Sequence, residues 1–162
     1  MSGVFIPLLT YIGGGSRTHA HPRRSEMRCI AYKKGYKYQL TGTYSLPCDI
    51  CPGIEVHTEH IHLMRGSLVI MKGYAWDGPS GPAIDTPNFM RGSLVHDALY
   101  QLIRMGWLPA GCRGEADLLL KALCLEDGMS KLRAWWVYNA VRHWGWLSTD
   151  PSAEKQVVYA PI

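Results

Sequence analysis

Alternating apolar and polar residues in the first half of the chain predict a small antiparallel sheet. Residues 36–44 alternate aromatic and polar side chains around Gly42, which is typical of an edge strand. Residues 55–63 alternate strictly enough to predict a second strand, and residues 67–74 predict a third. The turn between these last two strands is expected at residues 64–66, which end in a glycine.

The second half of the chain has the period of α-helices. A loop rich in Gly and Pro, residues 76–87, separates it from the strands. Thr86 and Pro87 are typical of an N-cap and the first helical position. The apolar stripe that follows ends near Gly106 and predicts one amphipathic helix.

Two further helices complete the predicted fold. The second is expected from about residue 113 to residue 127, before Gly128, and the third is expected to be capped by Ser130 and to end at Gly145. The predicted fold class is therefore α+β, with a small antiparallel sheet, the Gly/Pro loop and a three-helix C-terminal part.

The length and the two ends of the chain predict a single domain. The 162 residues fit one domain better than two. Residues 27–149 are expected to form it, with a flexible N-terminal arm at residues 1–26 and an irregular C-terminal tail at residues 150–162. The early apolar run at residues 4–12 is far shorter than the ~20 residues of a membrane span, so no transmembrane segment is expected. No Lys or Arg precedes Arg17, so a secretory signal is not expected either.

Net charge and cysteine content weigh against two classes of protein. The net charge of +4 is spread along the chain and lacks the concentrated basic face of nucleic-acid-binding proteins, so no nucleic-acid partner is expected. The 5 cysteines are an odd number and do not resemble a disulfide framework, so free thiols in a reducing compartment are expected. Cys48 and Cys51 have the spacing of a zinc knuckle, but no second tight pair follows them.

Four residues on the predicted helices could carry acid–base chemistry. His96 and Asp97 are consecutive, so their side chains point about 100° apart and can serve different partners. Tyr100 lies one helical turn after His96. Asp117, on the next helix, can approach His96 if the two helices pack antiparallel. A His oriented by a buried Asp is the standard arrangement for a general base that activates water.

The loop before this helix could add a metal site. A loop with two glycines and two prolines can turn several backbone carbonyls, here those near Gly78 and Gly81, toward one point. Carbonyls together with the carboxylate of Asp97 are hard oxygen ligands, which calcium prefers. The alternative is structural: Asp97 would pair with Arg91 or Arg104, and the other polar groups would form a hydrogen-bonded network in the core.

A second candidate metal site lies in the predicted sheet. If residues 55–63 form one strand, His60 and His62 share one face while His57 and Glu59 share the other. A His-x-His pair on a strand is a common start for a zinc site, although no spacing fixes a third ligand. Zinc is therefore the second metal hypothesis after calcium, and the alternative is a solvated strand face.

Three motifs follow one another in the second half of the chain. They are Trp-Asp-Gly-Pro-Ser-Gly-Pro at residues 76–82, His-Asp-Ala-Leu-Tyr at residues 96–100 and Arg-Gly-Glu-Ala-Asp at residues 113–117. In this order they resemble a family of small proteins common in tailed-phage genomes, for which no activity is settled. The resemblance implies a phage or prophage origin and a location in the host cytoplasm or the virion.

The His-Asp-x-x-Tyr helix after a Gly-rich loop also resembles the active-site helix of calcium-dependent secreted phospholipases. In that pattern the His is the base, the adjacent Asp binds calcium together with loop carbonyls, and an Asp on the next helix orients the His. The resemblance implies these roles for His96, for Asp97 with the carbonyls near Gly78 and Gly81, and for Asp117, with Tyr100 steadying Asp117.

Two functional hypotheses follow from these residues. The first is a phage-encoded hydrolase with a His96/Asp117 dyad and a metal at Asp97, for which the resemblance implies a phospholipid or another ester as substrate. The second is a non-catalytic virion, tail-associated or accessory phage protein, in which the same residues form a buried structural network. Its partners would be other phage structural proteins, and the contact surfaces would be the flexible N-terminal arm and the Trp-rich third helix, with tryptophans at positions 135, 136, 144 and 146.

Overall fold

The computed structural model describes residues 32–33, 38–78 and 86–153. In these ranges two small antiparallel sheets precede a helical part, which confirms the predicted α+β class. The predicted arm lies outside the described residues, as do residues 79–85 of the Gly/Pro loop and residues 154–162 of the tail. The division into arm, domain and tail stays a prediction.

The strands of the described ranges form two separate sheets. The first consists of β1 (Tyr32–Lys33), β2 (Tyr38–Leu40) and β7 (Ala75–Trp76), in the order β1-β2-β7. The second consists of β3 (Tyr44–Pro47), β4 (Val56–His57), β5 (Ile61–Met64) and β6 (Ser67–Ile70), in the order β3-β6-β5-β4. All neighbouring strands are antiparallel, so hairpins and short loops suffice to connect most of them.

Alternate residues of β5 and β6 build the inward face of the second sheet. Ile61 pairs with Ile70 and Leu63 with Leu68, and all four side chains are buried. Between the two strands Gly66 adopts a φ of +76°, a conformation that a residue with a Cβ rarely takes. The turn predicted before β6 is therefore confirmed.

The strand predicted over residues 55–63 is wrong, because this stretch forms the hairpin of β4 and β5. Val56 pairs with Leu63 across that hairpin. Thr58 fixes the reversal: its Oγ1 donates to the carbonyl of Ile61 (3.0 Å) and accepts from the N–H of the same residue (2.9 Å). A hydroxyl that bonds nearby backbone competes with a strand ladder. The buried apolar positions also change across the reversal, from the even-numbered Val56 to the odd-numbered Ile61 and Leu63.

The other two predicted strands are shorter than expected. Residues 36–44 divide near Gly42 into β2 and β3, which belong to different sheets. In residues 67–74 the ladder ends at Ile70, and the N–H of Tyr74 closes a turn onto the carbonyl of Met71 (3.1 Å).

Three long helices and one short helix follow the sheets. They are α1 (Pro87–Arg104), α2 (Arg113–Glu126), α3 (Lys131–Trp144) and α4 (Trp146–Thr149), with 3-10 turns at Ala110–Cys112 and Pro151–Ala153. Thr86 is extended at the N-cap of α1, and Ser130 Oγ accepts the N–H of Arg133 (3.3 Å) at the start of α3. The three predicted helices are thus confirmed, whereas α4 was not predicted.

Helix α1 lies in the interior of the fold. It contributes the fully buried side chains of Leu94, Val95, Ala98, Leu99 and Leu102 to a core that also contains residues of both sheets. On another side it packs closely against α2 at Gly92, where an added Cβ would lie 3.0 Å from Cys124 Sγ. Polar side chains of α1 that point inward must therefore find partners within the protein.

Cys51 and Cys112 form a disulfide that the sequence did not predict. Their Cα atoms are 6.0 Å apart, although 61 residues separate them along the chain. Beside the disulfide, the backbone N–H of Cys51 donates to Glu115 Oε2 (3.0 Å), so the loop after β3 is attached twice to the start of α2. The expectation of free thiols is wrong for this pair and holds for Cys48 and Cys124, and the disulfide removes the argument for a reducing compartment.

Reduction of the Cys51–Cys112 disulfide is expected to lower the free energy of unfolding by roughly 2–4 kcal/mol, because it releases the closure of a long loop in the unfolded chain. Denaturant unfolding with and without reductant measures this difference. The control is the double variant Cys51→Ser/Cys112→Ser, which should be insensitive to reductant. Equal unfolding midpoints for the oxidised and reduced wild type would contradict the pairing.

Candidate functional site

His96 on α1 and Asp117 on α2 form a buried hydrogen-bonded pair. His96 Nε2 lies 2.9 Å from Asp117 Oδ1, and the two residues are 6% and 0% exposed. An ionised carboxylate only accepts hydrogen bonds, so Nε2 carries the proton and the lone pair of the neutral ring is on Nδ1. The predicted approach of these two residues is therefore found.

Two further donors contact the carboxylate of Asp117. The hydroxyl of Tyr100 donates to Oδ1 (2.6 Å), and Arg142 NH1, from α3, donates to Oδ2 (3.0 Å). The rings of Tyr100 and His96 also lie against each other, with centroids 3.9 Å apart. A carboxylate without solvent contact is stable only when its charge is compensated in this way, so the network joins all three long helices.

Arg142 is the member of this network that sequence reasoning did not assign. No spacing rule connects a position on α3 with a carboxylate on α2. The sequence contained only an indirect signal. A buried carboxylate needs a positively charged partner, and neither a neutral His nor a Tyr provides a permanent positive charge. The nearest candidates were the basic residues at the end of the third helix.

The pKa values of the pair shift in opposite directions. For Asp117, burial alone would raise the pKa, but the hydrogen bonds from His96, Tyr100 and Arg142 outweigh it and lower the pKa. For His96, burial alone would lower the pKa, but the hydrogen bond to Asp117 and the nearby charge of Asp97 outweigh it and raise the pKa. The imidazolium–carboxylate form is therefore favoured.

Asp97 lies on the other side of the His96 ring. Its Oδ1 is 3.9 Å from His96 Nδ1, which exceeds the length of a direct hydrogen bond. The Asp97 side chain is 32% exposed, and burial raises its pKa, with the negative charge of Asp77 adding to the effect and His96 opposing it. His96 thus presents one nitrogen to the core and the other toward a partly exposed carboxylate.

The predicted structural alternative for Asp97 is not what the structure contains. Arg91 instead pairs with Asp127 (2.8 Å) and Glu126 (3.0 Å) on the far end of α2. Arg104 donates instead to the backbone carbonyl of Ser148 (2.9 Å). Arg104 still lies near enough to Asp97 for its charge to lower the pKa of that carboxyl, against the effect of burial.

The start of the Gly/Pro loop is held against α1. Trp76 Nε1 donates to Ser93 Oγ (3.2 Å), one turn before His96 and Asp97. Gly78 follows with a φ of +74°, and a Cβ there would lie 2.6 Å from Tyr38 Cε2, so a larger residue does not fit. The hydrogen bond between Trp76 and Ser93 therefore brings Gly78, one of the two predicted carbonyl donors, to the region of His96 and Asp97.

Only the chemical type of the available ligand atoms, which are oxygens, supports the calcium hypothesis. The carboxylates of Asp97 and Asp77 are oxygen ligands of the kind calcium prefers. Gly81, the other predicted loop ligand, lies outside the described residues. Within residues 32–33, 38–78 and 86–153, no group of three or more His, Cys, Asp or Glu side chains is arranged to hold a metal ion. Calcium binding stays a prediction.

The geometry expected for the second metal site is wrong. His60 lies in the bend just before β5, and His57, which was expected on the opposite face from His62, pairs directly with His62 across the hairpin. His62 Nε2 instead lies 3.0 Å from the carbonyl oxygen of Thr58, and its ring stands 5.1 Å from the ring of His57 across the hairpin. The reason is the reversal at Thr58, which divides the expected strand.

Comparison of the chain with models of protein families, with curated proteins and with solved structures finds no match. The two resemblances therefore stay predictions, and the geometry described above is the basis for any function. Among the described helices, none is both long and apolar enough to span a membrane.

The free energy of unfolding is expected to depend on pH through His96 and Asp117. The pKa of His96 is higher in the folded protein than its ordinary value of 6.5, so protonation of His96 stabilises the fold. This contribution is complete below the ordinary value and is lost as the pH rises through the raised pKa. The pKa of Asp117 is lower in the folded protein than its ordinary value of 3.8, so ionisation of Asp117 stabilises the fold. This contribution is complete at pH values above the ordinary value and is lost as the pH falls through the lowered pKa. From these two groups, stability is greatest between the two ordinary values.

Denaturant unfolding of the wild type and of His96→Gln, at a series of pH values above 6, measures the His96 part. The stability advantage of the wild type over this variant should shrink as the pH rises. Asp117 does not titrate in this range, so it does not interfere. An advantage that is independent of pH would contradict the raised pKa of His96.

Gly145→Ala is expected to disturb Tyr100. A Cβ at Gly145 would clash with the backbone carbonyl of Val141 and would lie 2.5 Å from the Tyr100 hydroxyl that donates to Asp117, whereas the φ of −64° is itself ordinary for alanine. The expected loss is about 1–3 kcal/mol of unfolding free energy, as for other overpacked sites. Gly111→Ala is the matched control, because nothing lies within 4 Å of an added Cβ there. Equal stability of the two variants would show that both clashes are relieved at no cost.

Proposed function

We propose that the protein is a phage-encoded hydrolase of carboxylic esters, with phospholipids as the first substrate class to test. One observation carries the proposal: Asp117 holds His96 through Nε2, so that Nδ1, the basic nitrogen, faces the partly exposed side of Asp97. This is the orientation that a water-activating histidine requires. Tyr100 and Arg142 are positioning residues, because they act on His96 through Asp117.

In the proposed reaction a water molecule bonded to Nδ1 of neutral His96 attacks the ester carbonyl carbon. The water proton passes to Nδ1, and the carbonyl oxygen becomes an oxyanion. The intermediate then re-forms its carbonyl and expels the alkoxide, which takes the proton from Nδ1. The products are a carboxylic acid and an alcohol, and His96 returns to its neutral form. Asp117 stabilises the imidazolium throughout by accepting from Nε2.

The raised pKa of His96 sets the pH dependence of this reaction. Only the neutral ring can accept the water proton, so the rate should increase as the pH rises through the pKa of His96, above its ordinary value of 6.5. Asp117, which orients the His96 ring, therefore also decreases the fraction of His96 that is in the neutral, active form at neutral pH.

A calcium ion is the proposed cofactor, with zinc second. Asp97 would hold it, joined by Asp77 or by loop carbonyls, and when bound it would supply positive charge opposite the oxyanion. The raised pKa of Asp97 supports this assignment, because a carboxylate destabilised by burial and by a neighbouring carboxylate gains from a cation.

A second candidate function is a non-catalytic virion, tail-associated or accessory phage protein. The observation in its favour is that Asp117 accepts from three residues on two other helices, which is what a network that fixes helix packing requires. Its partners would be other phage structural proteins, and either function is compatible with the host cytoplasm or the virion. No nucleic-acid partner is proposed.

Hydrolysis of a fluorogenic phospholipid and of a soluble aryl ester, with calcium and with chelator, tests the proposal. His96→Gln should lower the rate at least about a hundredfold, the range for loss of a general base. Asp97→Asn should abolish the calcium response. His57→Gln is the matched control, because His57 is an exposed histidine on β4 that takes no part in the network.

The two candidate functions give different outcomes for the same variants. If His96→Gln keeps its rate, the hydrolase proposal is wrong. If the wild type shows no hydrolysis while His96→Gln loses about 1 kcal/mol or more of unfolding free energy, the network is structural and the second function is supported. Unfolding by denaturant is therefore measured on every variant whose rate is determined.

A further inference from the structure

Helices α3 and α4 expose large apolar side chains that nothing in the described part of the protein covers. We call this set the tryptophan face, and its members are 43–78% exposed: Leu132, Trp135, Trp136, Trp144, Trp146 and Leu147. On α3, Leu132, Trp135 and Trp136 are neighbours at i, i+3 and i+4. The side of α3 opposite to these three residues packs inward through the buried Ala134 and Val137. Trp144 lies nearer to Val137 around the helix, and together with the residues of α4 it extends the exposed set at the end of α3.

The exposed apolar area of the tryptophan face is comparable to that of the largest patch on a typical monomer. Four half-exposed indoles and two leucines present on the order of 500 Å² of apolar surface. The largest apolar patch on a typical monomer is about 300–600 Å² and is often functional. The face is therefore expected to bind something, and its chemistry narrows what that is.

The formal charge around the tryptophan face has one sign. From Ser130 to Thr149 the sequence contains no Asp or Glu, whereas it contains Lys131, Arg133 and Arg142, with His143 in addition, and the next acidic residues along the chain are Asp127 and Asp150. The charge of Arg142 is already paired with Asp117, so Lys131 and Arg133 carry the remaining formal charge of this segment. A partner with a negative surface is complementary to this segment. A second copy of the chain, placed face to face, would bring like charges together, which opposes self-association through this face.

We propose that the tryptophan face binds the surface of an anionic lipid bilayer. Indole rings are amphipathic and concentrate at the boundary between headgroups and acyl chains, where the ring is apolar and the N–H stays hydrated. A helix with exposed Trp and Leu and with basic residues is typical of segments that lie in this boundary. Basic side chains near the surface then add attraction to anionic headgroups.

The tryptophan face is connected to the candidate active site. Arg142, near the end of α3, donates to Asp117, and Arg104 on α1 donates to the carbonyl of Ser148 in α4 (2.9 Å). Bilayer binding would therefore bring the His96 site close to lipid esters, a consequence that rests on the proposed function. Bilayer binding itself does not rest on the proposed hydrolase function, because the tryptophan face does not include His96 or Asp117.

Cosedimentation of the full chain with vesicles tests the proposal. One set contains phosphatidylcholine alone and the other an equal mixture of phosphatidylcholine and phosphatidylglycerol. We expect binding to the mixed vesicles, weaker binding in high salt, and a blue shift of the Trp emission on binding. Trp135→Ala/Trp136→Ala should weaken binding about tenfold or more. Trp107→Ala is the matched control, since Trp107 is 51% exposed but lies between α1 and α2.

The outcomes separate this proposal from the hydrolase. His96→Gln should bind vesicles as the wild type does, so binding without hydrolysis supports the surface and contradicts only the enzyme. Absence of binding to mixed vesicles, or equal loss in Trp107→Ala and the double variant, overturns the lipid surface. A concentration-dependent dimer that the double variant abolishes, in a protein that ignores vesicles, would instead assign the face to a second copy.

Discussion

The carboxylate of Asp117 is fully buried, and its charge constrains the arrangement of the helices around it. Asp117 lies on α2, its partners His96 and Tyr100 lie on α1, and Arg142 lies on α3. Each of these contacts crosses from one helix to another, so a rotation or a shift of any helix would leave a charge in the core without its partner. Leaving a buried charge without its partner costs far more free energy of folding than losing a surface contact. Helix packing and the polar network are therefore one constraint.

The helical half of the chain was largely predictable because its signals are local. The caps at Thr86 and Ser130 and the stop at Gly128 need only a few neighbouring residues, and a short connection between two helices brings His96 near Asp117. The strands were harder, since the reversal at Thr58 depends on one hydroxyl, and the sequence marks it only by a shift of the buried apolar positions from Val56 to Ile61. The Cys51–Cys112 pairing and the role of Arg142 were not predictable, because both join positions far apart along the chain.

The network has opposite consequences for the two candidate functions. Hydrogen bonds to Asp117 raise the pKa of His96, which suits a structural ion pair but decreases the fraction of neutral base. Arg142 and Tyr100 share the carboxylate of Asp117 with His96, so the imidazole is one of three donors to that group. The pH dependence of the hydrolysis rate and of the unfolding free energy therefore report on the same His96–Asp117 hydrogen bond.

Helix α3 is the element on which both candidate functions depend. The segment from Ser130 to Thr149 carries only basic formal charges, and Asp117 is the buried anion that binds one of them. If the protein is a hydrolase, this attachment orients the His96 site relative to whatever the tryptophan face binds. If it is not, the same attachment still holds that face rigidly on the body of the protein, and a rigid binding surface loses less conformational entropy when it docks. The buried carboxylate and the exposed tryptophans are therefore linked through one helix in either case.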